Sequence, residues 1–288
     1  LKGPLTFQAG IRSGSREKEF AMSDAEPSLV FKFDGEDPAF EAAYEQARAT
    51  FRYFWREVAW ERRRIVPGLD LACVKAAFSD GEDAPVVEGQ PRVEQMWLGE
   101  IDFDGQFVSG ELLNAPNWLK SVKAGDTARF RLDEITDWMY AIGGEVYGAY
   151  TVNLMRSRMN KQERKNHDNA WGLDFGDPTK IRLVPQKKNW FGKAKAEIEE
   201  HPMSLSMATV VEEQIAKDPS LLTSTDDKGW TLLHRDALAG SAPTVEKLLQ
   251  CGADPNARTH QGATPMSLAR SLGWDKVVAL LARHGATG

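Results

Sequence analysis

"GWTLLHRDALAGSAPTVEKLLQCGADPNAR", residues 229–258, is answered 33 positions further on by "GATPMSLARSLGWDKVVALLARHGA", residues 262–286. Overlaying the two brings Gly229 onto Gly262, Thr231 onto Thr264, Val245 onto Val278, Leu248 onto Leu281, Gly252 onto Gly285 and Ala253 onto Ala286. Identities in a single phase mark an internal repeat. Each unit holds a turn and two short apolar-periodic segments, so it can bury its apolar side only against its neighbours.

The repeat resembles the ankyrin family. The Thr-Leu-Leu-His block at Thr231–His234 stands where that family begins its first helix, the Leu248-Leu249 pair lies in the second, and Gly252-Ala253-Asp254 leads into the outward hairpin. The resemblance implies that His234 bonds backbone groups of the neighbouring turn and holds successive repeats in register. Two departures stand out: Leu232 replaces the usual Pro, and Arg235-Asp236 occupy positions where apolar or small residues are usual. Upstream, "SMATVVEEQIAKDPSLLTSTDD" fits a degenerate capping repeat, with Val210, Val211 and Ile215 as its apolar side and the glutamates facing solvent. The array is expected to dock on the domain before it.

His234-Arg235-Asp236 also spells the opening of a protein-kinase catalytic loop, and the chain carries an Asp174-Phe175-Gly176 and a Lys75 after an apolar run. Phosphoryl transfer by that route needs a Gly-rich loop before the lysine and Asp-Phe-Gly after His-Arg-Asp. Here the order is reversed, no Gly-rich loop precedes Lys75, and Ser241 stands where the metal-binding Asn belongs. The kinase spelling is coincidental.

The 288 residues are enough for two domains with cores, and 42% hydrophobic with 27% charged residues is ordinary for globular protein. A net charge of -6 gives no general field for phosphates, so nucleic acid is not an expected partner. The basic runs are Arg62–Arg64 and Lys187–Lys195, the latter interleaved with Trp190 and Phe191 and read as linker. Cys73 and Cys251 form no metal-ligand spacing or disulfide framework. No run reaches the ~18 apolar residues that cross a bilayer, and residues 1–20 lack the apolar core of a secretory signal. A cytoplasmic protein without a membrane partner is expected. Residues 1–21 read as an added or disordered leader before Met22.

From Asp37, "DPAFEAAYEQARATFRYFWREVAWE" reads as one helix, with Asp37 as cap, Pro38 at the first helical position, and Phe40, Tyr44, Ala47, Phe51, Phe54 and Val58 at three- and four-residue steps. The period then changes to two. "LDLACVKAAF" reads as a strand, "QMWLGEIDFDGQFVSGELLN" as a hairpin turning at Asp104-Gly105, "DTARFRL" as a strand, and "DWMYAIGGEVYGAYTVNLM" as a hairpin-like unit turning at Gly143-Gly144. A short helix from Lys161, a Gly- and Asp-rich loop and a final strand over Lys180–Val184 complete the pattern. The expected fold is α+β: a helix against a curved antiparallel sheet of about five strands, then an all-α ankyrin array. The expected organisation is a leader (1–21), an α+β domain (22–186), a linker (187–200) and repeats (201–288).

Trp97, Gly125-Asp126, Asp137-Trp138 and Gly148-x-Tyr150-Thr151 carry a resemblance to a bacterial domain of unknown function of the YegJ type, over residues 37–159 and up to 184 at most. It implies a fold and brings no activity. Trp97, Trp118, Trp138 and Trp171 are read mainly as core, with a ligand site as the alternative.

The function expected is a non-enzymatic protein–protein interaction module: an adaptor, a regulator or a toxin-neutralising immunity protein that uses no cofactor. Lys228, Trp230, Arg235, Asp236, His260 and Gln261, at turn and inner-helix positions, are the candidate partner-binding residues. The competing expectation is a metal site or enzyme built from His167, Asp174 and Asp177 in the loop "NHDNAWGLDFGDP".

Overall fold

The helix read from Asp37 spans Pro38–Glu61 (α1) in the computed structural model, which describes residues 37–85, 87, 89–186 and 200–288. The leader 1–21 and all but the last residue of the expected linker lie outside the described residues. Pro38 sits at the first turn, where its missing N–H costs nothing. Phe40, Ala43, Ala47, Phe51, Phe54, Trp55 and Val58 are buried along one side. Arg56, Glu57 and Trp60 are buried as well, which a helix lying on a sheet with its back to water would not show. The C-terminal half of α1 is therefore covered on two sides.

Six strands form one antiparallel sheet: β1 Leu71–Ser79, β2 Val93–Phe103, β3 Phe107–Leu112, β4 Thr127–Arg131, β5 Ile135–Ile142 and β6 Glu145–Gly148. Their order is β4-β3-β2-β1-β5-β6. Both expected turns hold: Gly105 has φ +98, with Asp104 accepting from the Gln106 and Phe107 N–H groups, and Gly143 and Gly144 have φ +57 and +80.

Two sequence expectations fail in this region. The unit after Gly148 is not strand but a helix, Tyr150–Arg158 (α2). Gly148 (φ +75) and Ala149 (φ +59) turn the chain out of the sheet, and the Asp137 carboxylate accepts from the Tyr150 and Thr151 N–H groups at the new helix's start. Nor is Lys180–Val184 a strand: it lies beside β6 with a bond from the Gly148 N–H to the Arg182 carbonyl and one from the Tyr140 hydroxyl to Leu183, but forms no ladder. The helix expected from Lys161 is present as Lys161–Trp171 (α3), capped by Asn160.

One sheet face packs on α1 around Trp138, whose indole N–H donates to the Ala47 carbonyl at 2.8 Å. The Gly148 backbone presses so close that a Cβ there would lie 2.4 Å from the Trp138 ring. The other face carries a smaller core, including Cys73, Met139, Val146, Val152 and Phe175, beneath α2.

The array comprises α4 Pro202–Lys217, a 3-10 turn over Pro219–Leu222, and the pairs α5 Leu232–Leu238 with α6 Ala242–Gln250 and α7 Pro265–Ser271 with α8 Asp275–Arg283. Thr231 and Thr264 cap α5 and α7 in the same way, so the phase relation in sequence is a relation between caps. In α4 the buried stripe is Ser204, Ala208, Val211 and Ile215. Val210, expected among them, is 38% exposed, because it lies about 100° around the helix from Val211.

The array lies against α1 and the β2–β3 turn. Arg63 pairs with Asp236 at 2.6 Å, Asp102 is shared by Arg62 at 2.9 Å and Lys228 at 3.2 Å, and Arg52 donates to the Gly273 carbonyl at 3.3 Å. Tyr53 meets Trp274 edge-on, and Trp60 stacks on His201, whose Nε2 lies 3.2 Å from Glu57. The described residues from Pro38 to Gly288 belong to one compact unit.

Candidate functional site

The turn before α5 is organised by Asp226. Its carboxylate accepts from the Lys228 and Trp230 N–H groups and pairs with Arg235 at 2.6 Å. Partial burial pushes this carboxyl up, but the two N–H donors and Arg235 hold it below the ordinary carboxylate range. Trp230 is thereby fixed half-buried, tilted against the His234 ring. The next hairpin adds His260, whose N–H donates to the Lys228 carbonyl and whose ring covers Gly229. His260 and Gln261 are exposed at the adjacent tip.

Five of the six candidate partner-binding residues thus keep some solvent-accessible surface on consecutive hairpins or the start of α5. Asp236 does not. Its side chain is 2% exposed and bound to Arg63, so it is a seam residue rather than part of an outward surface. Asp and Arg replace small residues in this repeat for separate reasons: Arg235 closes the Asp226 turn, and Asp236 receives an arginine from α1.

His234 is fully buried. Its Nε2 lies 3.0 Å from the Ala257 carbonyl and 3.2 Å from that of Ala263, while Nδ1 accepts from the Thr231 N–H. These bonds join one repeat to the hairpin leading into the next and need the neutral ring. Burial lowers the pKa of His234 below its ordinary value, partly offset by the two carbonyls. The unfolded chain, at about 6.5, therefore takes up this proton first. Stability should be intact above that pH and fall as pH drops through 6.5 toward the folded value. Thermal melts at pH 7.5 and 5.5 check this: His234→Gln should be less stable at pH 7.5 and lose less of its stability on acidification than the parent.

His167, Asp174 and Asp177 are not brought together. His167 contacts Asp168 at 3.0 Å, and Asp168 is gripped by the buried Arg156. Asp174 closes a turn onto the Gly176 N–H and faces Arg182, while Asp177 accepts from Thr179 in a turn of its own. Among the described residues no group of three His, Cys, Asp or Glu side chains is placed to hold a metal ion. These residues shape the loop, as Asp does at turns generally.

The four tryptophans also part. Trp138 is core, Trp171 packs on Phe175, Trp118 lines a shallow cleft with Pro85, Val87 and Pro91, and Trp97 is half-buried.

Under Trp97 lies an arrangement that sequence reading passed over. Lys75 and Asp137 are opposite one another on β1 and β5. The Lys75 ammonium sits 4.5 Å from the centre of the Trp97 ring and donates to the Thr151 hydroxyl at 2.7 Å, which in turn donates to Asp137 at 2.6 Å. Asp137 is fully buried and also accepts from the Trp138, Tyr150 and Thr151 N–H groups. Burial lowers the Lys75 ammonium and raises the Asp137 carboxyl, and each partly offsets the other. Burial also pushes the neighbouring Cys73 thiol well up, which leaves it unreactive. The signal available in sequence was an Asp inside an otherwise apolar strand, since a buried carboxylate must be compensated.

The ammonium–hydroxyl–carboxylate chain holds α2 to the sheet. It also accounts for the company kept by Trp97, Asp137-Trp138 and Gly148-x-Tyr150-Thr151, which meet at this one junction.

Residues 37–175 match the model of DUF2314, described as an uncharacterized protein conserved in bacteria, and residues 228–260 match the ankyrin repeat. An ankyrin repeat protein of Neisseria meningitidis serogroup B is 40% identical over 255 residues, covering 88% of this chain and 97% of that one. The uncharacterized protein YegJ of Escherichia coli is 29% identical over 80 residues, 28% of this chain and 52% of its own. The chain therefore belongs to the same family as this Neisseria ankyrin repeat protein, with a DUF2314 match ahead of its ankyrin repeat.

Proposed function

We propose that this is a non-enzymatic cytoplasmic protein that captures a protein partner on its consecutive hairpin tips, as an adaptor, a regulator or a toxin-neutralising immunity protein. The observation that carries the proposal is the placement of Lys228, Trp230, Arg235, His260 and Gln261. They lie on adjacent tips or, for Arg235, on the helix α5 that follows the first of them, stiffened by Asp226 and by the bond between His260 and Lys228. A fixed surface that mixes an aromatic with charged and amide groups loses little entropy on binding. Neither a metal centre nor a nucleic-acid surface enters this reading. No helix among the described residues is long and apolar enough to cross a membrane.

Affinity capture from a native bacterial lysate tests it, with partners identified by mass spectrometry. A specific partner should be retained by the parent, and Trp230→Ala and the pair His260→Ala/Gln261→Ala should each lower its recovery at least tenfold. Equal recovery by all three proteins would refute the assignment of the tips.

A further inference from the structure

The seam is formed on the α1 side by a charged and aromatic stripe. Arg52, Arg56 and Trp60 follow at i, i+4 and i+8, and Arg63 continues the line just past the helix end, all on the side turned from the sheet. Arg52 reaches the Gly273 carbonyl and lies over Tyr53 and Trp274, and Arg63 covers the Trp60 ring at 4.5 Å on its way to Asp236. The array answers with Asp236 on α5, Trp274 ahead of α8 and His201 at the start of α4. Two buried polar atoms of this stripe, Trp60 Nε1 and Arg52 Nε, have no hydrogen-bond partner among the described residues. Such a surface is unlike a domain core. Charged pairs desolvated in this way add little net stability over their separated state, which suits a contact that can exchange.

We propose that α1 is a resident ligand of the array: the side formed by α5 and by the segment entering α8 is a receptor for a helix with a basic-aromatic stripe. α1 occupies it in cis, so an outside helix of the same chemistry binds only when that contact is loosened. This inference rests on the reading of the array as a protein-binding module. A contact within one chain faces an effective concentration on the order of mM, so an equivalent helix in solution is outcompeted unless the cis contact is weakened.

The probe is a fluorescein-labelled peptide of residues 48–64, "RATFRYFWREVAWERRR", titrated by anisotropy into full-length protein. Arg63→Ala should bind it at least tenfold more tightly than the parent. Arg52→Ala, which leaves no buried carboxylate unpaired and so guards against misfolding of the first variant, should shift in the same direction. Adding Asp236→Asn to the Arg52→Ala background should reverse the gain, because the peptide's arginine then meets no carboxylate. The proposal is overturned if Arg52→Ala, folded by circular dichroism, binds no better than the parent, or if Asp236→Asn leaves binding unchanged. Neither result bears on the hairpin tips, whose test is capture of a cellular partner by protein with an intact seam.

Discussion

Arg63→Ala is expected to destabilise the protein by about 3–5 kcal/mol, the range for removing one partner of a buried pair. The reason is what remains. Asp236 is 2% exposed and its carboxylate is bonded to Arg63 at 2.6 Å across 173 residues of sequence. Without the guanidinium, a charge stays in the seam unless the array moves away from α1. Trp60 also loses the cation above its ring. The double variant Arg63→Met/Asp236→Leu should recover most of the loss, since neither half of the pair is then stranded. Urea unfolding of the three variants measures both terms. A loss below 1 kcal/mol for Arg63→Ala would mean that Asp236 is hydrated in solution and the seam is looser than the geometry indicates.

Asp137→Ala should cost a comparable amount, about 3–5 kcal/mol for the orphaned charge, with roughly 1 kcal/mol more for the lost helix cap. Three N–H groups and the Thr151 hydroxyl lose their acceptor together, and Lys75 is left buried with its charge opposed only by the Thr151 dipole and the Trp97 ring. The companion substitution Lys75→Met should be milder, because the carboxylate keeps all four donors. The ranking is the test: chemical denaturation with Lys75→Met as damaging as Asp137→Ala would show that the ammonium, not the carboxylate, organises the junction.

The two pairs differ in how far the sequence foreshadowed them. Asp236 was conspicuous as an acid in a repeat position that usually holds a small residue, and the choice between an internal bond and an outward surface was open. The fold decided for the internal bond by delivering Arg63 from the end of α1. The run Arg62–Arg64 stood out in sequence only as a dense basic run, yet Arg62 pairs with Asp102, Arg63 with Asp236 and Arg64 with Glu61. The aspartates Asp102 and Asp236 are remote in sequence, and no local pattern links them to the run.

Secondary structure followed local chemistry where that chemistry was unambiguous. Glycines at Gly105, Gly143 and Gly144 made the hairpins because those turns need positive φ. Threonines at matching repeat positions made the caps. In "YTVNLM" the strand expectation lost to a cap supplied by Asp137, thirteen or more residues upstream in another element.

The sequence by itself determined the repeat, the long amphipathic helix, and most of the strands and their tight turns. All of these depend on spacings no longer than one repeat, within which a side chain's burial and a turn's φ are written directly. Tertiary structure alone decided that both sides of α1 are covered, that Asp236 belongs to a seam, that Lys75 and Asp137 meet through Thr151, and that His167, Asp174 and Asp177 remain apart. Those outcomes depend on which distant groups arrive at the same place. A charge can be read from the sequence, but the partner that compensates for its burial is fixed only when the elements pack.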